Sequence, residues 1–175
     1  MIWPPSITLS GERVTIEPLS LEHHDALVDV VRDGELWKLW YTKIPSPEGI
    51  QADIERRLGL RERGSMLPFV IVDKAKGRVV GATSYMNVDA ENRRVEIGST
   101  WYAQSAQRTG VNTECKFLLL RHAFERLGAK LDGILRSHWR LPNGALRDTC
   151  VYSIIAAEWP TVKAHLQWQM AKPRT

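Results

Sequence analysis

The sequence predicts a mixed α/β fold built around a largely antiparallel sheet, organised as one domain over residues 1–175. Three observations lead there. Three strand-like runs follow one another between residues 68 and 102, joined only by the short turns Lys76-Gly77 and Asp89–Asn92. Turns that short join antiparallel strands, because a parallel pair needs a long crossover. Segments with helical spacing of apolar residues stand on both sides of this block. Finally, 175 residues at 43% hydrophobic and 25% charged have ordinary globular composition and the length of one domain.

Residues 12–18, Glu12 to Pro18, alternate apolar and polar and read as the first strand. Ser20 is an N-cap for a helix over Leu21–Arg32 with Leu27, Val30 and Val31 inward, ended by Gly34. Ser46-Pro47-Glu48 supplies a cap, an N1 proline and a first-turn acid. Ile50, Ile54 and Leu58 then recur every four residues until Gly64 ends that second helix. Pro68–Asp73 is a buried strand, Val79–Val88 a second and Arg94–Tyr102 a third. On that third strand, strict alternation puts Val95, Ile97, Ser99 and Trp101 on one face and Glu96, Gly98, Thr100 and Tyr102 on the other. After the loop Ala103–Gly110, a helix is expected from Asn112 to Leu127, with Gly128 as its C′ residue. Two strands, Lys130–Arg140 and Arg147–Ile155, and a helix from about Pro160 complete the chain.

Composition also removes several classes of function. No apolar run approaches the ~18 residues of a membrane span. The N-terminus Met1-Ile2-Trp3-Pro4-Pro5 has neither the basic nor the apolar region of a secretory signal. Cys115 and Cys150 cannot form a disulfide framework, and no metal-ligand spacing accompanies them or the histidines, so no metal site is expected and the expected address is the cytoplasm. Cys115 reads as a small core residue, and His23, His24, His122 and His138 are given no role.

Charge is uneven. Residues 1–106 hold 13 Lys/Arg and 15 Asp/Glu, whereas residues 107–175 hold 11 and 5. The basic second part favours an anionic partner, either a polyphosphate cofactor or nucleic acid. No Lys/Arg run exceeds two residues and aromatic-plus-basic RNA signatures are absent, so nucleic acid is the weaker choice. The stretch Gln107-Arg108-Thr109-Gly110-Val111-Asn112-Thr113 joins a strand to a helix. A helix N-terminus offers unpaired N–H groups and a partial positive charge to phosphate. Gly110 allows close backbone approach, and Arg108 adds a full charge. The stretch is neither a P-loop nor a dinucleotide fingerprint.

Gln107-x-x-Gly110-x-Asn112 resembles the Q/R-x-x-G-x-G/A loop of the GNAT superfamily of N-acetyltransferases, with Asn112 where that family usually has Gly or Ala. The resemblance covers most of the chain. Leu9–Leu19 is similar to the family's opening strand and Val95-Glu96-Ile97-Gly98-x-x-Trp101 to its fourth. Thr109–Lys116, Arg147–Ile154 and Glu158-Trp159-Pro160 resemble the subgroup of ribosomal-protein N-terminal (RimJ/RimL-type) acetyltransferases. The resemblance implies acetyl-CoA as co-substrate, with its pyrophosphate on backbone amides from Arg108 to Asn112, flanked by Gln107 and Thr113. It implies that Thr100-Trp101-Tyr102 pairs with the pantetheine arm like an added strand, and that Trp37, Trp40 and Tyr41, with Tyr85, shape the acceptor pocket. Hydrophobic packing is the other reading of these four aromatics.

Direct acetyl transfer to an amine needs a base, and Glu96, beside Gly98, is the candidate, against a water-relayed base or simple pairing of Glu96 with Arg94. The acceptor is an amine, on a protein N-terminus or a small molecule. The family also has a further strand and helix after the Gly-loop helix. Here Leu127-Gly128-Ala129-Lys130 runs straight into the next strand. The chain therefore reads as lacking one strand–helix unit, together with the residue that usually protonates the thiolate. The gap predicts re-pairing by Lys130–Arg140, a sheet edge suited to a homodimer, and, as an alternative function, a non-catalytic CoA-binding or structural remnant; the basic charge alone motivates a third alternative, an RNA-binding domain.

Overall fold

The computed structural model describes residues 3–91, 94–123, 133–140, 146–151 and 159–172. Its elements are β1 (Leu9–Ser10), β2 (Val14–Pro18), α1 (His24–Arg32), α2 (Ile50–Glu62), β3 (Met66–Asp73), β4 (Arg78–Asp89), β5 (Arg94–Tyr102), α3 (Gly110–His122), β6 (Gly133–Arg140), β7 (Leu146–Val151) and α4 (Trp159–Ala171). Strands β1 to β5 form one sheet in sequence order, each antiparallel to its neighbour. Strands β6 and β7 form a separate antiparallel pair. The expected mixed α/β fold with a largely antiparallel sheet is what forms. The expected re-pairing of Lys130–Arg140 is corrected: among the described residues β6 pairs with β7 and not with β5. The junction Leu127–Lys130, where a strand–helix unit was expected to be missing, lies outside the described residues, as do 124–127 of the expected helix and 152–155 of the expected strand.

Local chemistry accounts for the element boundaries. The first predicted helix starts as one 3-10 turn, Leu21–His23, before α1, and the Ser20 backbone N–H donates to His23 Nδ1 at 3.0 Å. Pro47 and Glu48 likewise sit in a 3-10 turn ahead of α2. Helix α3 begins two residues earlier than expected because Thr109 takes the N-cap. Its Oγ1 accepts from the Val111 N–H at 3.3 Å and donates to the Ala106 carbonyl at 2.7 Å. The two-residue strand β1 was not foreseen, since two residues carry no periodicity.

The sheet has two covered faces. Arg57 on α2 donates to Ser84 Oγ at 3.2 Å on one side, while Tyr85 donates to the Leu119 carbonyl of α3 at 2.6 Å on the other. Val14, Ile16, Phe69, Ile71, Val80 and Tyr85 are fully buried between the layers. Each such side chain contributes roughly 1.5–3 kcal/mol of burial.

Strict alternation fails on β5. Register runs Ser84↔Gly98 and then Ala82↔Trp101, so Thr83 alone faces both Ser99 and Thr100, and Ser99 has φ +51°. This is a β-bulge, and one extra residue inverts everything beyond it. The predicted face groups are therefore corrected. Thr100 and Tyr102 lie on the α3 side with Ile97, whereas Trp101 joins Glu96 and Gly98 on the α1/α2 side.

One carboxylate binds α3 to the sheet. Glu114, 5% exposed, accepts from the backbone N–H groups of Glu12 (3.0 Å), Arg13 (2.8 Å) and Val14 (2.8 Å). Three otherwise unpaired donors are satisfied at once. Replacing it by Glu114→Gln leaves one oxygen for three donors and turns an amide N–H₂ toward another. The expected loss is about 1–3 kcal/mol in urea unfolding at neutral pH; an unchanged midpoint would contradict the clamp.

A second buried ionic contact joins α2 to the sheet. Arg57, 4% exposed, donates to Asp53 Oδ2 at 2.6 Å as well as to Ser84. Burial pushes the Asp53 carboxyl up, but the Arg57 and Arg56 guanidiniums outweigh it and hold it below its ordinary value. A depressed folded-state pKa gives stability that is present above the unfolded value, ~3.9, and is lost as pH falls through the folded one. Asp53→Asn should therefore cost about 3 kcal/mol at pH 7, where Arg57 is left without its counter-charge. The gap from the parent chain should close below about pH 4. Paired melts at the two pH values read both.

Candidate functional site

The loop after β5 is held from several directions. Gln107 folds back, its Nε2 donating to the Tyr102 carbonyl at 3.1 Å. At the C-terminal end of α1, Asp33 accepts from the Ser105 N–H at 3.2 Å and from Ser105 Oγ at 2.6 Å, and its own carbonyl accepts from the Gln104 N–H at 3.0 Å. Lys76 Nζ reaches the Ser105 carbonyl at 3.4 Å, and an Arg78 N–H reaches Ser105 Oγ at 3.5 Å. Arg108, exposed and at φ +59°, then turns the chain into α3.

Gly110 carries the sharpest constraint. A Cβ there would lie 3.0 Å from Arg13 Cδ and 3.1 Å from Arg13 Nε, so the Arg13 side chain occupies the space beside the glycine. Glu114 grips the Arg13 backbone N–H one helical turn further on. The Arg13 side chain thus lies beside the first turn of α3 and the exposed Arg108 precedes it, while of that turn's N–H groups Val111's is capped by Thr109 Oγ1. The donor set fits a pyrophosphate: backbone amides, a helix N-terminus, two arginines, and Lys76 and Arg78 behind them. Val111 is core and offers only its backbone, while Asn112 is exposed and Thr113 half-buried at the rim. Arg13, Lys76 and Arg78 were not foreseen. They lie on other strands and loops, and nothing local in the sequence ties them to Gly110.

The end of β5 is the second part of the site. Tyr102 and Trp101 are buried, and the Trp101 indole N–H has no acceptor among the described residues. The Tyr102 hydroxyl is likewise buried without a hydrogen-bond partner among the described residues, and burial pushes the Cys115 thiol up to about 11. Thr100 Oγ1 stands 2.8 Å from Thr83 Oγ1 and 3.1 Å from Lys116 Nζ. No described strand covers the outer edge of β5.

The other expected residues are scattered. Glu96 lies on the α1/α2 side and accepts from Asn87 Nδ2 at 2.6 Å, while Arg94 turns to Asp89 at 3.5 Å, so the alternative Glu96–Arg94 pair does not form. Trp37 packs against the core. Trp40 and Tyr41 are exposed, with rings edge-to-face at 5.7 Å. Tyr85 is 0% exposed and bonded to Leu119 and His122, so its side chain lines no acceptor pocket. A cavity of about 500 Å³ opens instead between α1 and the turn before α2, lined by His24, Asp25, Asp29, Arg32 and Glu48 among others. It contains none of the aromatics that sequence pointed to. Among the described residues there is no cluster of three metal-ligating side chains, and no helix is long and apolar enough to cross a membrane.

Comparison with known proteins agrees with this geometry. Residues 13–143 match the family model of the acetyltransferase (GNAT) domain. The chain superposes on a candidate acetyltransferase from T. thermophilus with a TM-score of 0.77 and 30% identity, covering 95% of this chain and 98% of that one. It superposes on a GCN5-related N-acetyltransferase from Brucella melitensis with a TM-score of 0.77 and 25% identity, covering 95% and 86%. It shares its fold with Mycobacterium smegmatis RimJ, solved in complex with CoA-disulfide, at a TM-score of 0.73 and 22% identity, covering 97% and 96%. No curated protein matches the chain by sequence. With three-quarters of its length inside the family model, the chain belongs to the GNAT family of acetyltransferases.

Proposed function

We propose that this chain is a cytoplasmic, acetyl-CoA-dependent N-acetyltransferase that moves an acetyl group to an amine by direct transfer. The amine is that of a protein N-terminus or a small molecule. The observation that carries this is the first turn of α3, with Gly110 under Arg13 and beside Arg108, placed at the end of the uncovered edge of β5. The CoA-bound RimJ structure, on the same fold, supports the choice of ligand. When bound, acetyl-CoA supplies an activated acetyl group as a thioester.

The residues then divide the work. Arg13, Arg108 and the amides from Arg108 to Asn112 hold phosphate, Gln107 secures the loop to Tyr102, and Thr109 and Thr113 shape its rim. The backbone of Thr100, Trp101 and Tyr102 orients the pantetheine arm. Glu96 takes a proton from the incoming ammonium. Its carboxylate is anchored by an amide rather than by a cation, which leaves its negative charge uncompensated by any partner within ion-pair distance among the described residues. Trp37, Trp40 and Tyr41 form the aromatic margin over which an acceptor enters. One observation favours a second function, CoA binding without turnover: β6–β7 pairs only with itself, so nothing described closes the slot beside β5.

Saturating acetyl-CoA, at about 100 times its dissociation constant, should add about 2.7 kcal/mol, a melting rise of about 5–11 °C for a chain of this size. Arg13→Ala should weaken binding about tenfold, roughly 1.4 kcal/mol. Gly110→Ala, by displacing the same side chain, should cost a similar amount. Because both changes act through Arg13, the double variant should be clearly less than additive; additive losses, or no melting rise at all, would remove the phosphate site. Glu96→Gln should lower kcat by about 10²–10⁴-fold once an acceptor is in hand, with the acetyl-CoA melting rise intact. Equal kcat values would remove Glu96 as the base.

A further inference from the structure

Lys116 has no part in the function proposed above, yet its position is unusual. It lies six residues beyond Gly110, ~9 Å along α3. Its Nζ, half-buried, donates to Thr100 Oγ1 at 3.1 Å, and Thr100 Oγ1 is itself 2.8 Å from Thr83 Oγ1. Among the described residues no carboxylate stands within ion-pair distance of it. A lysine withdrawn from water without a counter-charge is costly, and such groups concentrate where a proton is moved. An ammonium bonded once retains two further N–H donors. Burial holds Lys116 below its ordinary value, with the neighbouring Cys115 opposing that shift.

The bulge at Ser99 sets the geometry. It places Thr100, and with it Lys116, on the α3 side of the β5 edge, while Glu96 remains on the α1/α2 side. A ligand anchored on the first turn of α3 and lying along that edge passes between the two. Other proton donors near the edge are poorly suited. The Cys115 thiol is 0% exposed and raised by burial, the Tyr102 hydroxyl is buried away from the edge, with burial raising its pKa, and the Tyr85 hydroxyl is committed to the Leu119 carbonyl. The remaining titratable groups on the elements around α3 are Glu114, held by backbone N–H groups, His122 beside Tyr85, Glu17 on β2, and Lys163 and His165 on α4.

We propose that the Lys116 ammonium stabilises the departing CoA thiolate and gives it a proton. This rests on the acetyl-CoA function proposed above. The acceptor nitrogen forms its bond to the acetyl carbon, and the carbon–sulfur bond breaks with its electron pair on sulfur. Lys116 Nζ passes one proton to sulfur and is left neutral. The acceptor ammonium gives one proton to Glu96 before attack, and the nitrogen loses a second to water as the tetrahedral adduct collapses; one of these recharges Lys116 through solvent and the other is released, so the products are amide, CoA thiol and one released proton.

The test needs no acceptor. Full-length protein is titrated with CoA bound, and thiolate ultraviolet absorbance is followed against pH, with the curve of the free protein subtracted to remove Cys115 and Cys150. Bound CoA should ionise at a pH about one or more below that of free CoA. Lys116→Met should abolish the difference while the CoA melting rise survives. Lys116→Arg, which keeps the charge, should retain the shifted titration. Should Lys116→Met fail to melt cooperatively, Lys116→Gln takes its place. A merely structural lysine would lower the melting point and leave the thiol titration alone. Identical titrations in the parent and Lys116→Met complexes overturn the assignment alone. Absence of any CoA melting rise in the parent protein overturns the acetyl-CoA function and the assignment with it.

Discussion

The grip of one carboxylate on three successive backbone N–H groups organises the molecule around its candidate site. Glu114 on α3 satisfies Glu12, Arg13 and Val14, residues about a hundred positions earlier. A carboxylate has enough lone pairs to accept all three, and an amide does not. Because the clamp seizes the backbone of Arg13, it also decides where that guanidinium goes, which is over Gly110. Structural anchoring and the proposed phosphate recognition are therefore one arrangement. A residue at position 110 larger than glycine would meet the arginine that the clamp has placed there.

The bulge in β5 is the second organising feature. It adds one residue opposite Thr83 and thereby moves Thr100 and Tyr102 to the α3 side and Trp101 to the other. Without it, Glu96 and Thr100 would share a face and Lys116 would lack its acceptor. With it, one exposed edge has a carboxylate on one flank and an ammonium on the other. The proposed base and acid, set apart in this way, do not neutralise each other and flank any group lying along the edge. The left-handed backbone at Ser99 costs of order 1 kcal/mol or more, the kind of local strain found where geometry serves a site.

Much of this was legible in the sequence, for identifiable reasons. The run Pro68–Tyr102 announced itself through β-branched residues and short turns, and each of its strands formed within two residues of the expected bounds. The Gly-loop was legible because its constraint is local: a strand end, a cap, a glycine and a helix. The bulge was not, because Ser99 looks like any strand residue and its left-handed angle is imposed by the pairing around it. Arg13, Asp33, Lys76 and Arg78 were missed because only tertiary contact brings them to the loop. For Tyr85 the sequence left acceptor lining and core packing both open, since an aromatic on an amphipathic strand does not reveal which covering layer claims its hydroxyl; the structure buries it against α3.

The separation of Arg13 from Gly110 has a kinetic meaning. The two halves of the proposed phosphate cradle lie at opposite ends of the five-stranded sheet in sequence, so such a cradle cannot exist until β1, β2 and α3 have met across most of the chain. Contacts of such long range form at a high cost in loop entropy. An emerging polypeptide that has released only its first hundred residues has no cradle to offer. Any ligand held there engages both ends of the fold together, so its protection against amide exchange should reach the β1–β2 hairpin, far along the chain from the glycine loop itself.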